Sequence, residues 1–167
     1  MSDDFVDQLG SAVLPHHVRR IMDALIADAD EVVARFGLTI PHRCCSTVLL
    51  LDEEGPVGVM RAAERLGLSH PVIIDFAKTL KRLGFLKETI STEDRRVRLL
   101  ALTDAGREEA DRVRHLHVAL ARVHDEVCAE AGIDLVGASR SIRAALREAS
   151  IIDRLNRVEK DTDHDPN

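Results

Sequence analysis

Residues 62–86 read AAERLGLSHPVIIDFAKTLKRLGFL, and their spacing restricts the choice of fold more than any other part of the chain. Two helical segments, at 57–66 and 69–83, are separated only by Gly67 and the residue after it, which can form a tight turn. Ser69 can cap the second helix, and Pro71 is tolerated in the first turn, where backbone N–H groups lack intrahelical partners. Apolar residues suited to the shared core are Leu66, Leu68, Ile73, Phe76, Leu80 and Leu83, with Ala63 allowing close approach. This is the spacing of a helix-turn-helix, whose second helix enters the major groove of DNA.

Two stretches rich in strand-forming residues follow at about 85–90 and 97–102, joined by the polar segment STEDRRVR at 91–98. They predict a β-hairpin, which makes the motif a winged helix-turn-helix. We expect its arginines to reach the neighbouring minor groove, whose negative potential deepens where the groove narrows and suits a flat, always charged guanidinium group. The residues predicted for this DNA-binding wing are Thr92, Asp94, Arg95, Arg96 and Arg98, with Asp94 bracing an arginine. The alternative is a solvated hairpin tip with ordinary charges.

Charge is distributed unevenly along the 167 residues, whose formal net charge is −6. Residues 57–103 contain nine Lys and Arg against five Asp and Glu, which gives +4. The remaining fourteen basic and twenty-four acidic residues give −10. A positive centre between acidic ends indicates a face for a polyanion, with a chance fluctuation of composition as the alternative.

Long amphipathic helices are predicted on both sides of this basic centre. Residues 15–36 carry an apolar stripe with helical spacing that ends at Gly37. Thr103-Asp104 has the form of a helix start, and a helix of about 28 residues should follow. Asp134 can cap one more helix, which has an apolar side as far as Ile152. The middle helix has a narrow apolar seam of coiled-coil spacing, Val113, Leu116, Leu120, Val123 and Val127, which is most easily buried against a second copy, so we expect a homodimer.

These patterns predict a mainly α fold, a winged helix-turn-helix with a small β-hairpin wing and dimerisation helices at both ends. The expected divisions are an N-terminal dimerisation region at 1–37, a DNA-binding lobe at 38–103, C-terminal dimerisation helices at 104–157 and a disordered polar tail at 158–167. Within the lobe, a shorter helix is expected from Pro41 to about Asp52.

Several short motifs resemble the MarR family of transcriptional regulators. Asp94-Arg95-Arg96 followed by Leu102-Thr103-Asp104-Ala105-Gly106 is similar to the family signature D-x-R…L-T-x-x-G, and Leu66-Gly67-Leu68-Ser69 and Leu80…Leu83-Gly84-Phe85-Leu86 fit upstream. The resemblance covers about residues 15–155. It implies a homodimeric winged helix-turn-helix protein that binds pseudo-palindromic operator DNA and is often released by a small-molecule effector. The expected function is therefore a sequence-specific, ligand-responsive repressor, although the sequence does not fix the sign of regulation, the operator or the effector.

Carried over by position, the resemblance assigns the bracing acid to Asp94 and the minor-groove arginine to Arg96. It places the DNA-facing residues of the recognition helix at Ser69, His70, Pro71, Ile74, Asp75 and Lys78. Lys81 and Arg82 can add phosphate contacts, although Lys81 is also explained as part of an exposed helix face. Ile74 and Asp75 depart from the small polar and basic residues of many members. An isoleucine can contact a thymine methyl group and an aspartate can accept from cytosine N4, but an acid that faces phosphates lowers affinity.

The effector site is unknown, and without Tyr or Trp the aromatic lining of some phenol-binding relatives is missing. Cys44 and Cys45 are interpreted as buried or inert thiols, with thiol-based sensing as the alternative. His124 and Cys128 are close enough on one helix face to hold a metal ion, but histidines lining a dimer seam are the preferred interpretation. No metal or other cofactor is predicted.

Other classes of protein find little support. No apolar run approaches the twenty residues of a membrane span, no secretion signal is visible, and three cysteines fit a reducing compartment, so a cytoplasmic protein without a membrane partner is expected. G-x-x-x-x-G-K-[ST], G-x-S-x-G and H-E-x-x-H motifs are missing, which argues against an enzyme. The alternative function is a winged-helix protein-interaction module that has lost DNA recognition, which Asp75 and the acidic total would permit.

Overall fold

The computed structural model describes residues 4–91 and 97–163, and within them it contains nine α-helices and three β-strands. The helices are α1 Phe5–Leu9, α2 Leu14–Leu25, α3 Ala29–Arg35, α4 Cys45–Glu54, α5 Val59–Leu66, α6 His70–Arg82, α7 Asp104–Glu130, α8 Leu135–Glu148 and α9 Ile151–Asp163. The strands are β1 Val57–Gly58, β2 Leu86–Ile90 and β3 Arg98–Leu102. Short 3₁₀ turns, Gly10–Val13 and His42–Cys44, precede α2 and α4. The predicted mainly α, winged helix-turn-helix fold is confirmed.

The chain divides into two compact units, Met1–Val118 and Ala119–Asn167. Most of the first unit's core comes from α4 to α7 and the sheet, and its most deeply buried apolar residues are Ile40, Cys44, Val48, Ala62, Ile73, Leu80, Ala110 and Val113. In the second unit, none of the described residues 119–160 is buried. The predicted division by role, into dimerisation regions and a DNA-binding lobe, stays a prediction.

The three strands form an antiparallel sheet in the order β1-β3-β2. The β2–β3 hairpin pairs Leu86 with Leu102 and Ile90 with Arg98, which confirms the hairpin predicted from the sequence. The prediction of helix from residue 57 is wrong for the first two positions. Val57 is buried and pairs with Leu100 as β1, because a β-branched side chain at the sheet edge reaches the core.

The segment that joins β3 to α7 explains why the L-T-x-x-G motif needs its Thr and Gly. The Thr103 hydroxyl donates to the Gly84 carbonyl at 2.7 Å and accepts from the Gly106 N–H at 3.0 Å, so it caps α7. A Cβ atom at Gly106 would lie 2.1 Å from the Phe85 carbonyl oxygen, far inside van der Waals contact. Only glycine therefore fits at this position without a shift of the backbone. The predicted helix start is confirmed, and α7 has 27 residues. Asp134 also caps α8 as predicted, accepting from a backbone N–H at 2.8 Å.

The single helix predicted at residues 15–36 is wrong, because the chain leaves the helix between α2 and α3. Backbone hydrogen bonds of i to i−3 spacing close the intervening turn. Asp28 takes the N-cap position of α3, and two more acidic residues lie in the first turn, where carboxylates interact favourably with the helix N-terminus. The apolar period continues across the break, so periodicity alone could not reveal it.

The last predicted helix is also two helices, α8 and α9, separated at residues 149–150. The Ser150 hydroxyl accepts from the Asp153 N–H at 3.2 Å, and the Asp153 carboxylate accepts from the Ser150 N–H at 3.0 Å, which is a reciprocal capping box. Hydrogen bonds from the Ser150 side chain and backbone hold the pKa of Asp153 below its usual value. Since α9 continues to Asp163, the prediction of disorder is wrong for residues 158–163.

Candidate nucleic-acid interface

Helix α6 begins close to the predicted position, with one difference in its cap. Ser69 takes the N-cap position with an extended backbone, and Pro71 lies in the first turn. The Ser69 carbonyl accepts from the N–H groups of Val72 at 3.1 Å and Ile73 at 3.2 Å, whereas its hydroxyl makes no capping hydrogen bond to the described residues of the helix. The exposed hydroxyl is therefore not needed to hold this helix end together.

One face of α6 is exposed along the helix, and the exposed N-cap residue Ser69 lies at its N-terminal end. Positions 71, 74, 75, 78 and 82 follow helical spacing, so their side chains share this face. All residues predicted for the recognition helix are exposed here, namely Ser69, His70, Pro71, Ile74, Asp75, Lys78 and Arg82. On the opposite face Ile73, Phe76 and Leu80 are buried. The structure thus brings the predicted residues together, while their contact with DNA stays a prediction.

A tight turn holds α5 against α6. Gly67 has a φ of +64°, a left-handed conformation that favours glycine, and the Leu68 N–H then donates to the Ala63 carbonyl at 3.0 Å. Ala63 is buried, which confirms the predicted close approach of the two helices. Leu68 and Leu83 were predicted in the shared core, but each is 37% exposed because it lies just beyond a helix end.

The wing follows α6 directly through β2 and β3. Of its predicted DNA-binding residues, Thr92, Asp94, Arg95 and Arg96 lie outside the described residues, and their roles stay predictions. Arg98 begins β3, and its side chain is 79% exposed. An Arg98 guanidinium nitrogen lies 3.1 Å from a carboxylate oxygen of Glu88 on β2. The structure thus places Arg98 at the base of the wing in an ion pair.

Comparison with known proteins identifies this architecture. No family model and no curated protein matches the sequence, but solved structures match the fold. The transcriptional repressor CouR, bound to a 23-mer DNA duplex, is 28% identical, with 87% of this chain and 99% of that chain covered and a TM-score of 0.61. A probable transcriptional regulator from Pseudomonas aeruginosa is 17% identical, with 83% and 96% covered and a TM-score of 0.57. The adhesin competence repressor AdcR from Streptococcus pyogenes is 17% identical, with 84% and 98% covered and a TM-score of 0.54.

This chain has the MarR-type winged-helix fold of transcriptional regulators. The resemblance stated from the sequence motifs is therefore confirmed. In this chain, the helix-turn-helix is formed by α5 and α6, and the wing by β2 and β3.

Two acidic residues with partners on other elements of the fold were missed by the sequence prediction. Glu88 binds cations on α6 and β3, and no local spacing rule connects positions so far apart in the chain. Glu109 on α7 is 1% exposed, and one of its carboxylate oxygens accepts from the N–H groups of Thr39 at 2.7 Å and Ile40 at 3.3 Å. Glu109 lies four residues before the buried Val113, so both share one face of α7. This position indicates that the acid is buried and needs buried hydrogen-bond donors.

The two adjacent cysteines differ in burial, since Cys44 is fully buried and Cys45 is only partly so. Burial raises the pKa of both thiols, that of Cys45 to about 11. At neutral pH both groups therefore stay protonated, which disfavours thiol-based sensing because the thiolate is the reactive form.

Candidate ligand and metal sites are few among the residues that the structure describes. Among residues 4–91 and 97–163, no group of three or more His, Cys, Asp or Glu side chains is arranged to hold a metal ion, so His124 and Cys128 stay unassigned. A cleft of about 140 Å³ between α4, β3 and α7 is lined in part by Asp52 and Arg107. It is smaller than the roughly 300 Å³ or more of drug-sized ligand sites. Across the described part of the chain, no helix is both long and apolar enough to cross a membrane.

Proposed function

We propose that this chain is a transcriptional regulator that binds pseudo-palindromic operator DNA as a homodimer. The observation that carries the proposal is the exposed face of α6, with Lys78 and Arg82, followed directly by the β2–β3 wing with Arg98 exposed at its base. In such proteins the second helix of the motif enters the major groove and basic side chains can enter the minor groove. Similarity to CouR, a repressor solved on a DNA duplex, supports this function.

Exposed apolar residues support the homodimer. On α2, Val18, Ile21, Met22 and Leu25 are each 44–55% exposed. Exposed apolar residues on α8 and α9 are Val136, Ile142, Leu146, Ile151, Ile152, Leu155 and Val158. Groups of exposed apolar side chains of this kind on a helix mark an interaction site, and two copies would present two α6 helices to half-sites about one helical turn, or a multiple of it, apart.

Repression and release by a small-molecule effector complete the proposal and are supported by the family resemblance alone. No catalytic role is part of it. A thermal-shift screen of small molecules tests the effector, because a compound that prefers the folded state raises the melting temperature by mass action.

A second candidate is a protein-interaction module that has lost DNA recognition. Asp75 favours it, because this acid lies exposed in the middle of the α6 face, where it would meet phosphates. A gel shift with the DNA upstream of the chain's own gene, and with a scrambled duplex of equal length, separates the two functions. Retarded migration of the upstream DNA alone supports the regulator, and no shift of either duplex at low salt supports the interaction module.

The wing is tested by Arg96→Ala, with Arg19→Ala on α2 as a control that removes the same charge outside the lobe. Arg96→Ala should weaken binding across sequences and reduce the slope of log affinity against log salt by about one unit, as for any lost DNA-contacting cation. The control should leave both quantities unchanged. An unchanged affinity in Arg96→Ala would remove the wing from the mechanism.

A further inference from the structure

The carboxylate of Glu88 binds two cations at once, one on each oxygen. Lys81 Nζ lies 2.7 Å from Oε1, and Arg98 Nη1 lies 3.1 Å from Oε2. The hydrogen bonds from Lys81 and then Arg98 hold the pKa of Glu88 below its usual value, so the carboxylate is charged at neutral pH. Both cations are substantially exposed to solvent. Glu88 therefore engages two side chains that would otherwise be available to phosphates.

These three residues lie at the junction of α6 and the wing. Lys81 is in the last turn of α6, Glu88 is on β2 and Arg98 is on β3. In the hairpin, Glu88 pairs with Leu100 and Ile90 pairs with Arg98, so Glu88 and Arg98 are diagonal neighbours on one face. One carboxylate thus links the end of α6 to both strands of the wing.

Exposed ion pairs contribute little to the stability of a fold, so this arrangement needs another explanation. Sequence-independent DNA binding comes almost entirely from cations that neutralise phosphates and release counterions. With Glu88 present, the three side chains together carry +1 instead of +2, and a phosphate must compete with the carboxylate for either cation. In an operator complex these two cations supply a smaller share of the binding free energy, because contacts to base edges add to it.

We propose that Glu88 is a specificity-determining residue that withholds Lys81 and Arg98 from the phosphates of non-operator DNA. This inference rests on the proposed function, since it presupposes that the chain binds DNA. It predicts that an acid at this position lowers affinity for non-operator DNA more than affinity for the operator.

The test compares Glu88→Gln with the wild-type protein on two duplexes, the operator-containing DNA found by gel shift and a scrambled duplex of equal length. Glutamine keeps the size and one oxygen acceptor but removes the charge. On the scrambled duplex, the slope of log affinity against log salt should steepen by about 0.9 for each cation released. Affinity for that duplex should rise about fivefold at 0.1 M salt, and the ratio of operator to scrambled affinity should fall.

A matched control and a double variant isolate the cause. Asp23→Asn removes one negative charge from an exposed pair with Arg19 on α2, outside the lobe, and should change neither the slope nor the ratio. Lys81→Gln should remove about 0.9 of slope in the Glu88→Gln background and less than half of that in the wild-type background.

The outcomes separate this inference from the proposed function. Failure of the wild-type protein to bind either duplex would overturn both. Wild-type binding with an unchanged slope and ratio in Glu88→Gln would overturn only the role of Glu88. An equal change in Asp23→Asn would assign the effect to net charge, and a large fall in melting temperature in Glu88→Gln would assign Glu88 a structural role, so either result overturns the inference.

Discussion

Helices α6 and α8 have nearly the same length, 13 and 14 residues, and both are amphipathic, yet their apolar faces lie in opposite environments. Ile73, Phe76 and Leu80 of α6 are buried in the core of the same chain. Within the described range Leu135–Glu148, by contrast, no residue of α8 is buried. An apolar period thus indicates a helix without predicting whether the chain itself covers that face.

The contrast extends to the two compact units. Long-range contacts fix the first, since Glu109 on α7 holds the backbone at Thr39 and Gly106 lies against the Phe85 carbonyl. In the second, the described hydrogen bonds are local, such as those that the Arg154 side chain donates to carbonyls of α8 and the residue after it. We therefore expect substitutions in the first unit to affect folding strongly and those in the second to act on helix ends or on association.

The largest effect on folding is expected from Ile73→Ala, because Ile73 is fully buried. Removing its side chain should lower the free energy of unfolding by about 2–5 kcal/mol in urea denaturation. The matched variant Ile142→Ala, at a position that is 50% exposed, should change the unfolding of the monomer by less than about 0.5 kcal/mol. It should instead weaken association of the proposed dimer in sedimentation experiments. Equal losses of monomer stability in both variants would break the comparison between the two helices.

Glu109→Ala is the next largest expected effect. It leaves the N–H groups of Thr39 and Ile40 without their buried acceptor, so the free energy of unfolding should fall by about 3 kcal/mol. Glu108→Ala is the control, since it truncates an exposed glutamate on the same helix and should cost less than about 0.5 kcal/mol. Chemical denaturation of both variants measures the difference, and a loss in Glu109→Ala no larger than in the control would contradict the role of this carboxylate.

Gly106→Ala should cost about 2 kcal/mol, because the added Cβ would press on the Phe85 carbonyl and the backbone must shift. Gly58→Ala adds the same methyl group where the nearest side-chain atom, Leu99 Cδ2, is 4.0 Å away, and should be nearly neutral. Thermal unfolding of the pair would show whether the glycine of the L-T-x-x-G motif is a packing requirement. Similar melting temperatures for the two variants would show that α7 can move away from Phe85 at no cost.

Much of the fold could be predicted from the sequence because local chemistry specifies it. Gly67 marks the turn before α6 and Thr103 marks the start of α7, each through a requirement of the backbone nearby. The exposed face of α6 was also correctly located, because the helical period fixes which positions lie together. These features need no knowledge of the rest of the chain.

The features that the sequence prediction missed depend either on contacts between residues distant in the chain or on an apolar period that hides a break between two helices. The pairing of Glu88 with Lys81 and Arg98 requires the hairpin register, and the burial of Glu109 requires the backbone at Thr39. The division of the N-terminal helix was hidden by an apolar period that continues through it. The division at Ser150 was different, since its capping box with Asp153 was present in the sequence but outweighed by the apolar spacing up to Ile152.

The smallest effect is expected at the helix caps, where the two units can be compared directly. Ser150→Ala removes a hydroxyl that caps α9 and should destabilise that helix by about 1 kcal/mol, seen as faster amide hydrogen exchange in its first turn. Ser69→Ala should leave exchange in α6 unchanged, because the Ser69 hydroxyl makes no capping bond to the described residues of that helix.

Since the pKa of Asp153 is lowered in the folded chain, the contribution of its carboxylate to α9 is complete above the ordinary value of 3.8 and is lost as the pH falls through the lower folded value. As the pH falls, the protection of α9 amides that Asp153 provides should therefore be lost first. The protection that Ser150 provides should persist to lower pH, because the hydroxyl still accepts from the Asp153 N–H after the carboxylate is protonated. If both contributions to amide protection disappeared at the same pH, the two hydrogen bonds of the capping box would form and break together. The start of α9 would then be more cooperative than two separate hydrogen bonds indicate.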